Sequence, residues 1–270
     1  MEFKTVLIAF GLTLFAGLST GIGSALAFFA KQTNTKFLST ALGFSAGVMI
    51  YISFTEIFSK AQESLVGEFG KVGGHWATFT SFFGGFLVAV LIDRLVPSFE
   101  NPHEPHRAED MNDPELASNF RTLYKLGLLT AAALAIHNFP EGLATFASAL
   151  KDLKLGIPIA VAVAIHNIPE GIAVSIPIYY ATGDRKKAFM LSFLSGLAEP
   201  LGALIGYLFL FSFFNDAVLG ILLGSVAGIM VFISLDVLLP AAREYGKPHF
   251  AIYGLVAGMM VMAVSLILFV

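Results

Sequence analysis

Residues 135–144 read AIHNFPEGLA and residues 164–173 read AIHNIPEGIA, one ten-residue phrase given twice with eight identities at an offset of 29. Each copy sets His, Asn, Pro, Glu and Gly into an otherwise apolar stretch. On a helix His137 and Glu141 are four residues apart and share a face, as do His166 and Glu170. Asn138 and Asn167 lie one step round from their histidines. Pro140 has no N–H, so the Ile136 carbonyl loses its i+4 donor, and Pro169 does the same to Ile165. An imidazole, an amide and a carboxylate beside a loosened helical backbone form a metal-coordinating constellation. Imidazole and carboxylate suit zinc and ferrous iron; amide and carboxylate oxygens suit harder ions. The chain has no cysteine, which excludes thiolate metal sites, disulfides and cysteine nucleophiles. A mixed site without thiolate binds reversibly and selects loosely.

The elements that must hold these residues are membrane spans. Of the 270 residues only 13% are charged, against about 25% in soluble domains, and mean hydropathy is +0.79. Apolar runs of about twenty residues recur, long enough to cross a bilayer core. The pattern predicts an all-α polytopic membrane protein, one transmembrane domain over residues 1–270, with eight spans at 5–29, 37–58, 75–96, 121–149, 155–180, 187–211, 217–240 and 249–270. The first resembles a signal peptide, with Lys4, an apolar run and Ala25-Leu26-Ala27. Its part in an internal repeat argues that it is retained. Eleven Lys and Arg follow the odd-numbered spans and five lie on the other side. The positive-inside rule then puts both termini outside the cytoplasm and loop 97–120 within it.

A second repeat joins residues 43–63, GFSAGVMIYISFTEIFSKAQE, to residues 224–244, GSVAGIMVFISLDVLLPAARE, with eight identities in 21 at an offset of 181. More weakly, GLSTGIGSALAFF at 17–29 follows GLAEPLGALIGYL at 196–208. Matching spans are five apart, an odd number, so the halves run in opposite senses. This predicts a 3+2+3 inverted-repeat bundle with spans 4 and 5 as a central antiparallel pair, an arrangement typical of transporters. Glycine pairs four apart, such as Gly43/Gly47 and Gly224/Gly228, permit close helix packing. In the weaker repeat Thr20 stands where Glu199 stands in the other half. Pro200 directly after Glu199 disfavours α geometry there and is expected to break the helix at that residue.

Other polar positions carry less. Loop 97–120 is rich in Pro, Asn and acids and reads as a solvated linker, with His103 and His106 as transient metal ligands in the sharper reading. Glu56 and Asp236 lie at nearby but not equivalent places in the repeat of spans 2 and 7, and either could line an entrance or move protons. Asp93 beside Arg94 reads as a local ion pair at a span end.

HNFPEG in span 4 and HNIPEG in span 5 resemble the signature of the ZIP (Zrt-, Irt-like) metal-ion transporters, and the near-identical pair is most similar to the bacterial ZupT-like branch. The resemblance covers the whole chain, including eight spans, external termini, a cytoplasmic loop after span 3 with histidines, and Glu199 in span 6. The loop is shorter and poorer in histidine than in many eukaryotic relatives. The family implies a binuclear metal site midway through the membrane. Carried over, one ion is bound by His137, Glu141, His166 and Glu170. The other is bound by Asn138, Glu141, Asn167, Glu170 and Glu199, with Glu141 and Glu170 bridging. It also implies that spans 1, 4, 5 and 6 move against a scaffold of spans 2, 3, 7 and 8 that often dimerises.

The resulting expectation is import of divalent metal ions, zinc first, with iron, manganese, cobalt and cadmium as further candidates, across the inner or plasma membrane. The partners are those ions and the lipid bilayer, a homodimer is the candidate assembly, and neither a nucleic acid nor a catalytic cofactor is expected. The alternative is an intramembrane metal-dependent enzyme. Such hydrolases show His-Glu-x-x-His and di-iron bundles show Glu-x-x-His; this chain has His-x-x-x-Glu in both copies.

Overall fold

In hydrocarbon a spanning segment must satisfy its backbone within itself, which favours helices. The computed structural model describes residues 3–29, 35–95, 120–210, 215–244 and 248–268. All regular elements among them are helical: α1 Phe3–Phe29, α2 Thr35–Ile52, α3 Phe58–Leu95, α4 Phe120–Lys151, α5 Leu153–Thr182, α6 Arg185–Gly196, α7 Ala198–Ile205, α8 Asp216–Ile233, α9 Leu239–Glu244 and α10 Pro248–Leu268. Loop 97–120, with His103 and His106, lies outside the described residues save Phe120, as does the Asp93 side chain.

Six described stretches are long and apolar enough to cross a membrane: Phe3–Ala25, Ser39–Leu91, Leu153–Ile172, Arg185–Phe209, Asp216–Asp236 and His249–Ile267. Expected spans 2 and 3 form one of them. A straight 53-residue helix would measure about 80 Å, but the chain folds back at Gly70, whose φ of 71° and ψ of 173° leave the helical region. Beyond the bend Gly74 lies so close to Val66 that a Cβ would sit 2.3 Å from its Cα. Expected span 4 corresponds to α4, which is not among the six.

Two groups of helices form. One contains α1, α4, α5, α6 and α7; the other contains α2, α3, α8, α9 and α10. They meet chiefly where α5 lies on α2 and α4 on α8. In the second group α2 packs on α10 and α3 on α8 through the glycines the sequence marks. A Cβ on Gly47 would stand 2.0 Å from the Leu255 carbonyl oxygen, and one on Gly228 would stand 1.9 Å from that of Phe82. Gly47 and Gly228 are matching residues of the longer repeat.

The same repeat governs a local irregularity. α2 continues into a π turn at Ser53–Ile57, where the Phe58 N–H donates to the Ser53 carbonyl; α8 continues into another at Ser234–Leu238, where the Leu239 N–H donates to that of Ser234. Ser53 and Ser234 are 181 residues apart, the repeat offset. Glu56 and Asp236 both ride on these turns.

Candidate metal centre

The two motifs occupy the arms of a tight hairpin. Asp152 alone separates α4 from α5, and its side chain caps α5 by accepting from the Lys154 N–H at 2.9 Å. Gly183, left-handed at φ 65°, ends α5 with its N–H on the Tyr179 carbonyl. Both helices run unbroken through Pro140 and Pro169. The loosening is therefore confined to the bonds the prolines cannot make.

At span 6 the structure corrects the sequence reading. The helix does not break at Glu199. It breaks at Leu197, φ −70° and ψ −8°, and Glu199 lies in the first turn of α7. A proline ring collides with the carbonyl one turn back, here that of Gly196, so the ladder opens before the proline. Within a first turn the missing N–H has no intrahelical acceptor to lose.

Asn138, Glu141, Asn167, Glu170 and Glu199 are each at most 2% exposed. The Asn138 Nδ2 donates to the Ser195 carbonyl at 3.2 Å, and the Asn167 Nδ2 donates to the Ala16 carbonyl at 2.9 Å. Asn167 Nδ2 also donates to Glu199 Oε1. Carbonyl and carboxylate oxygens only accept, so the amide nitrogens must face them and both Oδ1 atoms are turned the other way. Asn138 Oδ1, Asn167 Oδ1 and Glu199 Oε2 are buried and without a hydrogen-bond partner among the described residues. The carboxylates of Glu141 and Glu170 lie near enough to Glu199 to act on it by charge.

The backbone contacts come in matched pairs. A Cβ on Gly142 would lie 2.1 Å from the Glu199 carbonyl oxygen; one on Gly171 would lie 2.2 Å from that of Thr20. Gly202 abuts the Phe139 carbonyl and Gly23 that of Ile168. Ser195 and Ala16, Glu199 and Thr20, Gly202 and Gly23 are all 179 residues apart, the offset of the weaker repeat. The glycine of each motif thus admits a helix turn that delivers Glu199 on one side and Thr20 on the other. The helix that begins like a signal peptide supplies Ala16 and Thr20.

Of His137 and His166 only the helical backbone is described. Among the described side chains, which omit these two, no three His, Asp or Glu groups are arranged as a metal ligand set. The structure brings Asn138, Asn167, Glu141, Glu170 and Glu199 into one buried region. Sequence reasoning missed the carbonyls of Ala16 and Ser195 and the packing role of Gly142 and Gly171. The repeat offset carried that signal, since it pairs 16 with 195 as it pairs 20 with 199.

The fold and site define a multi-pass helical membrane protein with buried carboxylates and amides on its α4–α5 hairpin. The model of the ZIP zinc transporter family matches residues 97–266. The chain is 60% identical over 278 residues to the zinc transporter ZupT of Clostridium perfringens, covering 99% of this chain and 98% of that relative. It is 62% identical over 263 residues to the zinc transporter ZupT of Oceanobacillus iheyensis, covering 97% and 98%. This chain belongs to the ZIP family, in its ZupT-like branch, a family of transporters and not of enzymes.

Proposed function

We propose that the protein imports zinc into the cytoplasm through a binuclear midmembrane site, with iron, manganese, cobalt and cadmium as further cargo. One ion takes His137, Glu141, His166 and Glu170. The other takes Asn138, Glu141, Asn167, Glu170 and Glu199. The observation that carries this reading is the set of amide and carboxylate oxygens, Asn138 Oδ1, Asn167 Oδ1 and Glu199 Oε2, buried without a hydrogen-bond partner among the described residues. An intramembrane carboxylate costs roughly 2.5–3.5 kcal/mol on insertion scales. Three together, with amide oxygens beside them, are stabilised by a divalent cation. Cargo must shed its water for such ligands, since a bare ion cannot cross hydrocarbon.

Eight crossings suit this function. The fold-back at Gly70 makes two of the Ser39–Leu91 stretch, and α4 adds another. The matched contacts at offset 179 and the matched π turns at offset 181 support a 3+2+3 inverted repeat. The charge bias supports external termini, and the apolar scaffold group is where a homodimer would form. Purified protein in liposomes should take up zinc, and uptake should be lost in Glu170→Ala. No uptake by the unsubstituted protein above empty liposomes would refute transport. Because the chain has no cysteine, single cysteines in loop 97–120 should react only from the cytoplasmic side; labelling from outside would reverse the orientation.

A further inference from the structure

α4 carries a polar stripe longer than its motif. Asn138, Glu141, Thr145 and Ser148 are spaced three, four and three residues apart and share one face. They are 1%, 2%, 0% and 0% exposed. In an apolar helix a serine or threonine hydroxyl ordinarily bonds the carbonyl one turn back. This chain follows that habit elsewhere: Thr13 to Ala9, Thr78 to Gly74, Ser81 to Ala77, Thr182 to Ile178 and Ser234 to Met230, at 2.7–3.1 Å. Thr145 Oγ1 and Ser148 Oγ do not, nor do the isolated hydroxyls of Thr20, Ser53 and Ser175, but only Thr145 and Ser148 follow one another along a single helix face. Both are buried with no hydrogen-bond partner among the described residues, which leaves their desolvation uncompensated.

The stripe has a direction. From Glu141 it runs toward the α4–α5 turn, where Asp152 is exposed and Lys151 pairs with Asp216 at 3.1 Å. Twenty-nine residues on, the places of Thr145 and Ser148 are taken by Val174 and Pro177. Val174 packs with Ala131 and Ile178 against Leu134 and Leu191, so hydrocarbon stands at the place of Thr145 in the opposite end of the hairpin, where Ser175 is the one buried hydroxyl among residues 171–178. On either side of the stripe α4 is apolar. Ala144 and Ala147 join the core of the second helix group, and Phe146, Ala149 and Leu150 join a cluster with Ala9 and Ala203. The two hydroxyls lie along the seam where α4 meets both.

We propose that Thr145 and Ser148 line the route of the cation between the α4–α5 turn and Glu141, each hydroxyl oxygen standing in for a lost water. This rests on the transport reading and adds the side and the path of access. A hydroxyl is suited to the step: it offers lone pairs without a charge that would hold the ion. The buried state is the closed one, and parting of the two helix groups along the seam exposes the stripe.

The test is zinc uptake into liposomes beside equilibrium zinc binding in detergent. Thr145→Val combined with Ser148→Ala should lower initial uptake about tenfold, the size of effect expected for about 1.4 kcal/mol, while zinc stoichiometry and affinity are retained. Thr145→Ser, which keeps the hydroxyl, should restore most of the rate in the Ser148 background. Unchanged uptake in the double variant, or uptake and binding lost together, would overturn the route. Thiol labelling decides the matter even if zinc uptake by the unsubstituted protein fails. Ser148→Cys should react with a small water-soluble methanethiosulfonate at least about tenfold faster than Ala149→Cys, its apolar neighbour; equal rates would overturn the route.

Discussion

The two motifs share eight of ten residues, yet their surroundings differ at two places. Around the first, Gly142 admits the backbone of Glu199 and Asn138 holds the carbonyl of Ser195; around the second, Gly171 admits Thr20 and Asn167 holds the carbonyl of Ala16. In both frames an asparagine amide ties the motif helix to a backbone carbonyl, and Asn167 alone reaches on to Glu199. The chemistry differs, because the residue whose backbone meets Gly142 carries a carboxylate where the one that meets Gly171 carries a hydroxyl. Further along, Thr145 and Ser148 extend the first half-site, while in the second Val174 stands at the place of Thr145 and packs in an apolar cluster. A repeated frame fixes position, and departures from the repeat supply charge and direction.

The largest effect should come from the part the halves share. Glu141→Ala or Glu170→Ala removes a bridging ligand, weakening both ions and lowering uptake at least about a hundredfold, since loss of one group from a buried charged set costs about 3–5 kcal/mol. If only one ion is lost in either variant, bridging is wrong. Next comes acid. A protonated imidazole cannot coordinate, and an ordinary imidazole takes up its proton near pH ~6.5. Zinc affinity of the purified protein should therefore fall as pH drops through roughly 6.5 to 5, by about tenfold per unit for each ligating histidine. Affinity equal at about pH 5 and 7.5 would mean that His137 and His166 are not ligands. The smallest effect is on the frame. Gly142→Ala and Gly171→Ala should each cost about 1–3 kcal/mol in detergent unfolding, because the new methyl meets backbone. Gly84→Ala, with nothing within 4 Å, should be neutral or slightly stabilising. A loss at Gly142 without one at Gly171 would break the equivalence of the halves.

The carboxylates and amides were legible because polar side chains are rare in apolar runs, and the helices because such runs have one structural solution in lipid. What contacts them was less so. The carbonyls of Ala16 and Ser195 have no side-chain signature. Pro200 signals a break, but whether it falls at Glu199 or at Leu197 depends on which side of the ring the ladder yields. Thr145 reads like Thr13 in sequence; only the packed helix reveals that one bonds its own backbone and the other does not. The π turns at Ser53 and Ser234 follow the repeat, although hydrogen-bond register cannot be read from residue types.

The central claim is that two motif copies and Glu199 hold two ions, with Glu199 serving only the one beside Asn138 and Asn167. Metal stoichiometry of purified protein by elemental analysis tests it most directly. Saturated protein should hold about two zinc ions and Glu199→Ala about one, with partial transport kept, because the remaining site still offers zinc its usual four ligands. Two ions retained in Glu199→Ala would remove Glu199 from the site, and a single ion in the unsubstituted protein at saturation would contradict the binuclear account itself.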